Sequence, residues 1–218
     1  MRRKCDIESC IARPWSKNNR GAKGMKDERV WQVLGELEEL EKREDLEEGL
    51  WRITKEVGLL FNMILRHSGA KRILEVGTSS GYSTLFLADA ARANGGKVVT
   101  CEFSPFKIKL AKEMFAKAGL EEQIELIEGN ALETVDALEG PWDFVFLDGM
   151  KDEYVFYLSS IWPKVRPGGL VIADNMISHK GVLGIEAYKF TVDMLDDASS
   201  VTVPIGSGDL FTCKVEEE

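Results

Sequence analysis

Five side chains stand where their types could do chemistry: Glu75, Glu102, Asp148, Asp174 and Asn175. Each falls at the end of a short apolar run of strand length. Asp148 follows Phe144-Val145-Phe146-Leu147, and Asp174-Asn175 follows Leu170-Val171-Ile172-Ala173. Two carboxylates and a carboxamide are hard oxygen ligands. Mg²⁺ takes six such ligands in octahedral geometry and tolerates an incomplete protein cage, so three protein oxygens leave room for two vicinal substrate oxygens and a water. Zinc or an iron–sulfur cluster would call for Cys or His, which these positions lack. The plainer alternative is that Asp and Asn cap helices at two ordinary strand–helix junctions.

Residues 72–84 read Arg-Ile-Leu-Glu-Val-Gly-Thr-Ser-Ser-Gly-Tyr-Ser-Thr. An apolar run breaks at Gly77 and Gly81 and reopens as a helix through Leu85-Phe86-Leu87-Ala88. A strand, a glycine turn and a helix start make a nucleotide-sized site, because glycine lets backbone approach a ligand and the first helical N–H groups face it. A dinucleotide turn would read Gly-x-Gly-x-x-Gly. Here Ser79 occupies the second glycine position, and the next glycine lies four residues after Gly77, so the loop is wider. Glu75 adds a carboxylate that suits a cationic or amine-bearing ligand better than a pyrophosphate. Glu102 lies 21 residues after Gly81. A carboxylate there can accept two hydrogen bonds from ribose hydroxyls. A turn without a cofactor and a plain strand-end glutamate are the alternatives.

The elements that position these residues follow from the pattern. After Gly77 strands alternate with helices, which predicts a parallel sheet with helices on both faces. The expected strands are Val98–Glu102, Ile124–Glu128, Trp142–Leu147, Leu170–Asp174, Val201–Val203 and Leu210–Val215, after a first carried by Ile73-Leu74 and Val76. The expected helices are Pro105–Ala118, Leu132–Leu138, Tyr154–Val165 and Ile185–Leu195. The Gly206-Ser207-Gly208 turn makes the last strand antiparallel. Upstream, Val30, Val33, Leu34, Leu37 and Leu40 share a helix face, with the glutamates of 36–48 as a solvated opposite face. A second helix is expected over Trp51–Arg66. In open sheets of this kind ligands bind outside the carboxyl ends of the strands.

Composition narrows the class. The chain has 218 residues, a formal charge of −9, 44% hydrophobic and 30% charged residues. That fits one domain, at 30–218, built of N-terminal helices (30–66) and a core (72–215). Residues 1–29 carry nine Lys or Arg against four acids and read as a flexible basic arm. The overall acidity argues against a broad nucleic-acid surface. No apolar run approaches a membrane span or a signal core. Four scattered cysteines suggest neither a zinc spacing nor a disulfide framework, so a reduced, cytoplasmic protein is expected.

The 72–84 stretch resembles motif I of class I S-adenosylmethionine-dependent methyltransferases, Glu-x-Gly-x-x-x-Gly. Its wording, Leu-Glu-Val-Gly-Thr-Ser-Ser-Gly-Tyr-Ser, is similar to the cation-dependent O-methyltransferases of the catechol and caffeoyl-CoA type. The resemblance spans about residues 50–215 and rests on four ordered motifs. It implies an α/β, Rossmann-like class I fold with a seven-stranded, mostly parallel sheet. It implies cofactor contacts at Thr54, Glu75, Gly77, Ser79, Ser83, Glu102, Asn130, Ala131 and Asp148. Ser83 would meet the cofactor's carboxylate end, Gly129-Asn130-Ala131 its adenine, and the Thr54–Gly58 segment its methionine end. Asp148, Asp174 and Asn175 match the metal triad, and Lys151 matches the lysine proposed as general base. The family's second acid, or its His-Trp pair, is replaced here by Gly149-Met150.

The function so implied is methyl transfer from S-adenosylmethionine, assisted by Mg²⁺ or another divalent cation such as Mn²⁺ or Ca²⁺, to a hydroxyl of a small catechol-like aromatic. A homodimer is the implied assembly. Two other readings stay open. A tRNA hydroxyuridine would be the acceptor if the basic arm binds RNA. A catalytically inactive fold would serve as an interaction module.

Overall fold

The structure is a computed structural model that describes Met25 and residues 27–216. The expected arm therefore lies largely outside the described residues. Its inner end does not behave as an arm. Helix α1 (Glu28–Leu40) starts before residue 30, capped by the Asp27 side chain, which accepts from the Arg29 N–H. Val30, Val33, Leu34 and Leu37 are its buried residues, the one-face spacing expected of an amphipathic helix. The Trp31 indole donates to the Met25 carbonyl at 3.1 Å, and Met25 is buried.

Helix α2 (Lys55–Ser68) starts four residues later than the periodicity predicts. Thr54 caps it by accepting from the Val57 N–H, and Gly69 ends it in the left-handed region, φ 69°. Trp51, expected in the helix, stands outside it at φ 40° and is 78% exposed. A side-chain cap at Thr54 competes successfully with helix continuation, since threonine satisfies end N–H groups better than an interior turn tolerates it.

The core then alternates as expected: β1 (Arg72–Val76), α3 (Tyr82–Asn94), β2 (Lys97–Glu102), α4 (Pro105–Ala118), β3 (Ile124–Glu128), the short α5 (Ala131–Thr134), β4 (Trp142–Leu147), α6 (Tyr154–Ile161), β5 (Val165–Ala173), α7 (Leu183–Asp193), β6 (Ala198–Val203) and β7 (Asp209–Lys214). Helix α6 is shorter than predicted, because Trp162-Pro163-Lys164 forms a tight 3₁₀ turn and the chain enters β5 at Val165. Proline at this point has no N–H to continue the α-helix ladder.

The seven strands are ordered β3-β2-β1-β4-β5-β7-β6. β1 pairs in parallel with both β2 and β4, so the strand order reverses there. β7 runs antiparallel to β5 and to β6. The reversal opens a crevice beyond the carboxyl ends of β1 and β4. One face of the sheet buries Ile73, Phe144, Phe146 and Ile172 against Val57, Phe61, Phe86 and Phe115 from the helices. Phe61 lies edge-on to Phe144, Phe146 and Phe211, with centroids 5.7, 4.9 and 6.4 Å away. The other face buries Leu74, Val76, Val145, Leu147 and Val171 against Tyr154, Leu158, Ile185 and Tyr188. Cys101 is buried and Cys213 half-buried, both free.

Candidate active site

The β1–α3 turn runs through three residues of positive φ, Gly77, Ser79 and Gly81. Gly77 has φ 105°, and its N–H reaches the Cys101 carbonyl at 3.2 Å. A Cβ there would fall 2.5 Å from the Asp148 carbonyl oxygen, so the turn presses directly on the end of β4. Ser79 is in the left-handed region, φ 48°, which aims its N–H at Glu102 Oε2, 2.8 Å away. Glu102 Oε1 accepts from the Phe103 and Ser104 N–H groups at 3.0 and 2.9 Å. Three backbone donors thus hold this carboxylate at the crevice. Helix α3 begins at Gly81 with no side-chain cap, so no side chain caps its first-turn N–H groups against an anionic ligand group.

Glu75 differs from the expectation that it faces a cationic ligand. It is 0% exposed and accepts from Ser83 at 2.5 Å, from Thr84, and from Thr100 at 2.7 Å. Burial pushes its carboxyl up to about 7 despite those three hydroxyls. Ser83 thereby directs its hydroxyl hydrogen bond to Glu75 inside the protein. The signal was present in sequence, since β1 is apolar on both sides of Glu75 and so must be covered on both faces.

The segment between α1 and α2 crosses these strand ends, which the sequence reading missed. Leu50 is buried, and its carbonyl accepts from the Ser79 hydroxyl. Ser104 donates to Glu48 at 2.7 Å, and Lys107 lies 4.8 Å over the Trp51 ring. The 36–48 acids are accordingly more than a solvated face: Tyr82 donates to Glu38 at 2.6 Å, and Arg52 pairs with Glu41 at 2.7 Å.

Asp148 and Asp174 stand side by side because Leu147 pairs with Ala173 in the β4–β5 ladder. The Asp148 carboxyl is pushed up to about 6, chiefly by burial and further by the Asp174 charge, against the pull of Lys151. Burial also raises Asp174. Asn175 sits at φ 72°, a conformation that costs a non-glycine residue roughly 1–3 kcal/mol. That conformation brings its N–H to Asp174 Oδ1 at 2.5 Å, while its Nδ2 donates to Ser178 at 3.3 Å. Lys151 Nζ donates to Asp148 Oδ1 at 2.8 Å, the Gly149 carbonyl at 3.0 Å and the Tyr154 hydroxyl at 3.1 Å. The Tyr154 hydroxyl in turn donates to the Leu147 carbonyl at 3.0 Å, tying the lysine to the end of β4.

One further acid joins this group. Asp209 opens β7 and is 0% exposed, and the polar group facing its carboxyl is the Asp174 carboxyl. Burial and the Asp174 charge push its carboxyl up to about 8. Sequence reading passed over it as part of a turn. The signal was the alternation Asp209, Phe211, Cys213 along a strand that had to fold back antiparallel.

The remaining expected positions are dispersed around the crevice. Asn130 caps α5, its side chain accepting from the Leu132 N–H at 3.0 Å, and Ala131 is half-buried. Thr54 faces the Gly206 turn, where a Cβ would lie 3.9 Å from its hydroxyl. Gly58 permits close packing, since a Cβ there would fall 2.4 Å from the Phe86 ring. Among the described residues, no group of three or more His, Cys, Asp or Glu side chains encloses a metal position. The donors that remain are two crowded carboxylates and the Asn175 carbonyl oxygen. Such a set fits a hard cation that keeps most of its ligands from water or substrate.

Among the described residues no helix is long and apolar enough to cross a membrane. The chain is 40% identical over 117 residues to O-methyltransferase ankF of Aspergillus thermomutatus, covering 52% of this chain and 48% of that protein. It is 37% identical over 115 residues to a catechol O-methyltransferase of Mycobacterium tuberculosis, covering 52% of each. It thus spans about half the length of these curated relatives. The crystal structure of a Bacillus cereus O-methyltransferase in complex with S-adenosylhomocysteine superposes with a TM-score of 0.74 at 25% identity, over 87% of this chain and 91% of that one. The O-methyltransferase family itself matches residues 27–195, nearly all of the framework that carries the crevice. The chain belongs to that family, and its fold is the Rossmann-like class I methyltransferase architecture.

Proposed function

We propose that this protein methylates a hydroxyl of a small catechol-like substrate, with S-adenosylmethionine as donor and a divalent cation held by Asp148, Asp174 and Asn175. The donor would supply the methyl group, and the cation would stabilise negative charge on the substrate oxygens. The observation that carries the reading is one crevice that collects a cradled carboxylate (Glu102), two adjacent strand-end carboxylates and a lysine 2.8 Å from one of them.

Each residue then has a physical task. Glu102, locked by three backbone N–H groups, keeps lone pairs for ribose hydroxyls. The uncapped start of α3 suits the donor's carboxylate. Asp148, Asp174 and Asn175 fix the acceptor oxygens, so that positioning supplies much of the rate. Lys151 takes the hydroxyl proton at Nζ. Its three present partners are those of an ammonium, so acting as a base requires that it give up a proton and at least one contact.

The test pairs calorimetric titration of S-adenosylhomocysteine, with and without Mg²⁺, with a labelled-methyl assay on a panel of catechols. Binding plus Mg²⁺-dependent turnover is expected. Lys151→Met should lower kcat by about 10²–10⁴-fold, the usual contribution of a positioned base, and leave S-adenosylhomocysteine affinity unchanged. Absence of S-adenosylhomocysteine binding would refute the reading. Binding without turnover of any catechol would redirect the search to a nucleic-acid acceptor.

A further inference from the structure

The segment between α1 and α2, residues 41–54, has neither helix nor strand, yet it is tied down at its neck and at its tip. At the neck the Arg52 guanidinium lies 2.7 Å from Glu41, and the Arg52 N–H donates to the same carboxylate at 3.3 Å. The two ends of the segment therefore meet, as in an Ω-loop. Arg52 also lies 4.9 Å over the ring of Tyr82, the first residue of α3.

The tip rests on the crevice. Glu102 is gripped by the Ser79 N–H on one side and by the Phe103 and Ser104 N–H groups on the other. The hydroxyls of both serines are taken by the tip. Ser79 donates to the Leu50 carbonyl, and Ser104 donates to Glu48 at 2.7 Å, with Lys107 4.0 Å from the same carboxylate. The strap thus reaches across Glu102 from one flank to the other, and Glu102 is only 7% exposed. Leu50 is buried, yet among the described residues it joins neither of the apolar clusters on the two faces of the sheet. A ribose bound to Glu102 must bring its hydroxyls within about 3 Å of the carboxylate. Direct hydrogen bonds from the tip to both flanking serines leave no layer for a nucleoside between them. A seated strap and a nucleoside at Glu102 exclude each other.

The seat is one the chain can leave. Trp51, beside Leu50, has φ 40° and is 78% exposed, with Lys107 4.8 Å over its ring. A non-glycine residue keeps such a backbone only while its surroundings hold it there. Here the holding contacts are few and mostly polar, and residues 42–45 and 47 are exposed chain. Segments that open locally, lids among them, are built this way.

We infer that residues 41–54 form a strap that gates the donor crevice, with Glu48 as its latch. Seated, the strap covers Glu102; lifted, it admits S-adenosylmethionine. This inference rests on the donor-binding part of the function proposed above and is independent of the metal. Donor affinity is then reduced by the fraction of molecules whose strap is seated, and loosening the latch raises affinity.

The test is stopped-flow and calorimetric binding of S-adenosylhomocysteine to the wild type, Glu48→Ala, Glu48→Gln and Glu47→Ala. Glu48→Ala should speed association and lower Kd by about 3–10-fold, the scale of one hydrogen bond to a charged group. Glu48→Gln can still accept from Ser104 but has no charge for Lys107, so it should fall between Glu48→Ala and the wild type. Glu47→Ala removes the same charge from an exposed neighbour and should bind as the wild type does. Amide hydrogen exchange at residues 48–52 should quicken in Glu48→Ala without ligand, and in the wild type when S-adenosylhomocysteine is saturating. Unchanged or weaker binding by Glu48→Ala, or slower exchange at 48–52 in the liganded wild type, would overturn the gate and leave the donor site standing. Failure of all four proteins to bind S-adenosylhomocysteine would overturn the donor reading, and the gate with it. Binding by Glu48→Ala where the wild type shows none would support both.

Discussion

Replacing Glu75 by Gln tests whether the centre of the sheet holds a group that changes charge near neutrality. Glu75 is buried in β1, and burial raises its carboxyl from 4.5 to about 7 against three hydroxyl donors. In the unfolded chain the group ionises near its ordinary value, while in the folded chain it keeps its proton to about 7. Between those values only the folded state holds the proton, so stability falls as pH rises through that window and is level above it. At about 1.4 kcal/mol for each pH unit, the loss is about 3 kcal/mol. Glutamine has the same shape and no charge to lose, and the Ser83, Thr84 and Thr100 hydroxyls can rotate to meet an amide. Urea unfolding of both proteins from pH 4.5 to 8.5 gives the comparison. Other acids titrate equally in the two proteins and cancel in the difference. The wild type should lose about 3 kcal/mol relative to Glu75→Gln across the window. A difference that stays constant with pH would mean that the three hydroxyls already offset burial and that the carboxylate is ionised throughout.

Phe61→Ala should cost about 3–5 kcal/mol in denaturant unfolding, since it empties a fully buried position between Phe144, Phe146 and Phe211. An effect below about 1 kcal/mol would mean that helix α2 is not seated on the sheet as described. Gly77→Ala combines a φ of 105° with a Cβ 2.5 Å from the Asp148 carbonyl. It should destabilise by at least about 2 kcal/mol and weaken both S-adenosylhomocysteine and Mn²⁺ binding, because the turn and the end of β4 must separate. Unchanged binding of both ligands would place the candidate site elsewhere.

The element order and the strand-end chemistry were legible in the sequence because a parallel sheet covered on both faces must be written in apolar runs. The first polar residue after such a run marks the crevice. Glu102, Asp148 and Asp174-Asn175 were picked out that way, and the Gly77–Gly81 spacing marked the turn after the first strand. Tertiary structure decided which of these residues are neighbours and which way they face. Glu75 lies in β1 two residues before Gly77, yet it points into Ser83, Thr84 and Thr100, because β2 and α3 close over it. Leu50 and Glu48 reach Ser79 and Ser104 only because the segment after α1 crosses the strand ends, and nothing periodic in that segment announces the crossing. Asp209 lies 35 residues after Asp174. It becomes the neighbour of Asp174 only when β7 returns antiparallel along β5 in one register. A slip of a single residue would turn Asp209 to the opposite face of the sheet. Local sequence carries the alternation of faces, but the choice of partner strand and register is settled by long-range packing of the whole sheet.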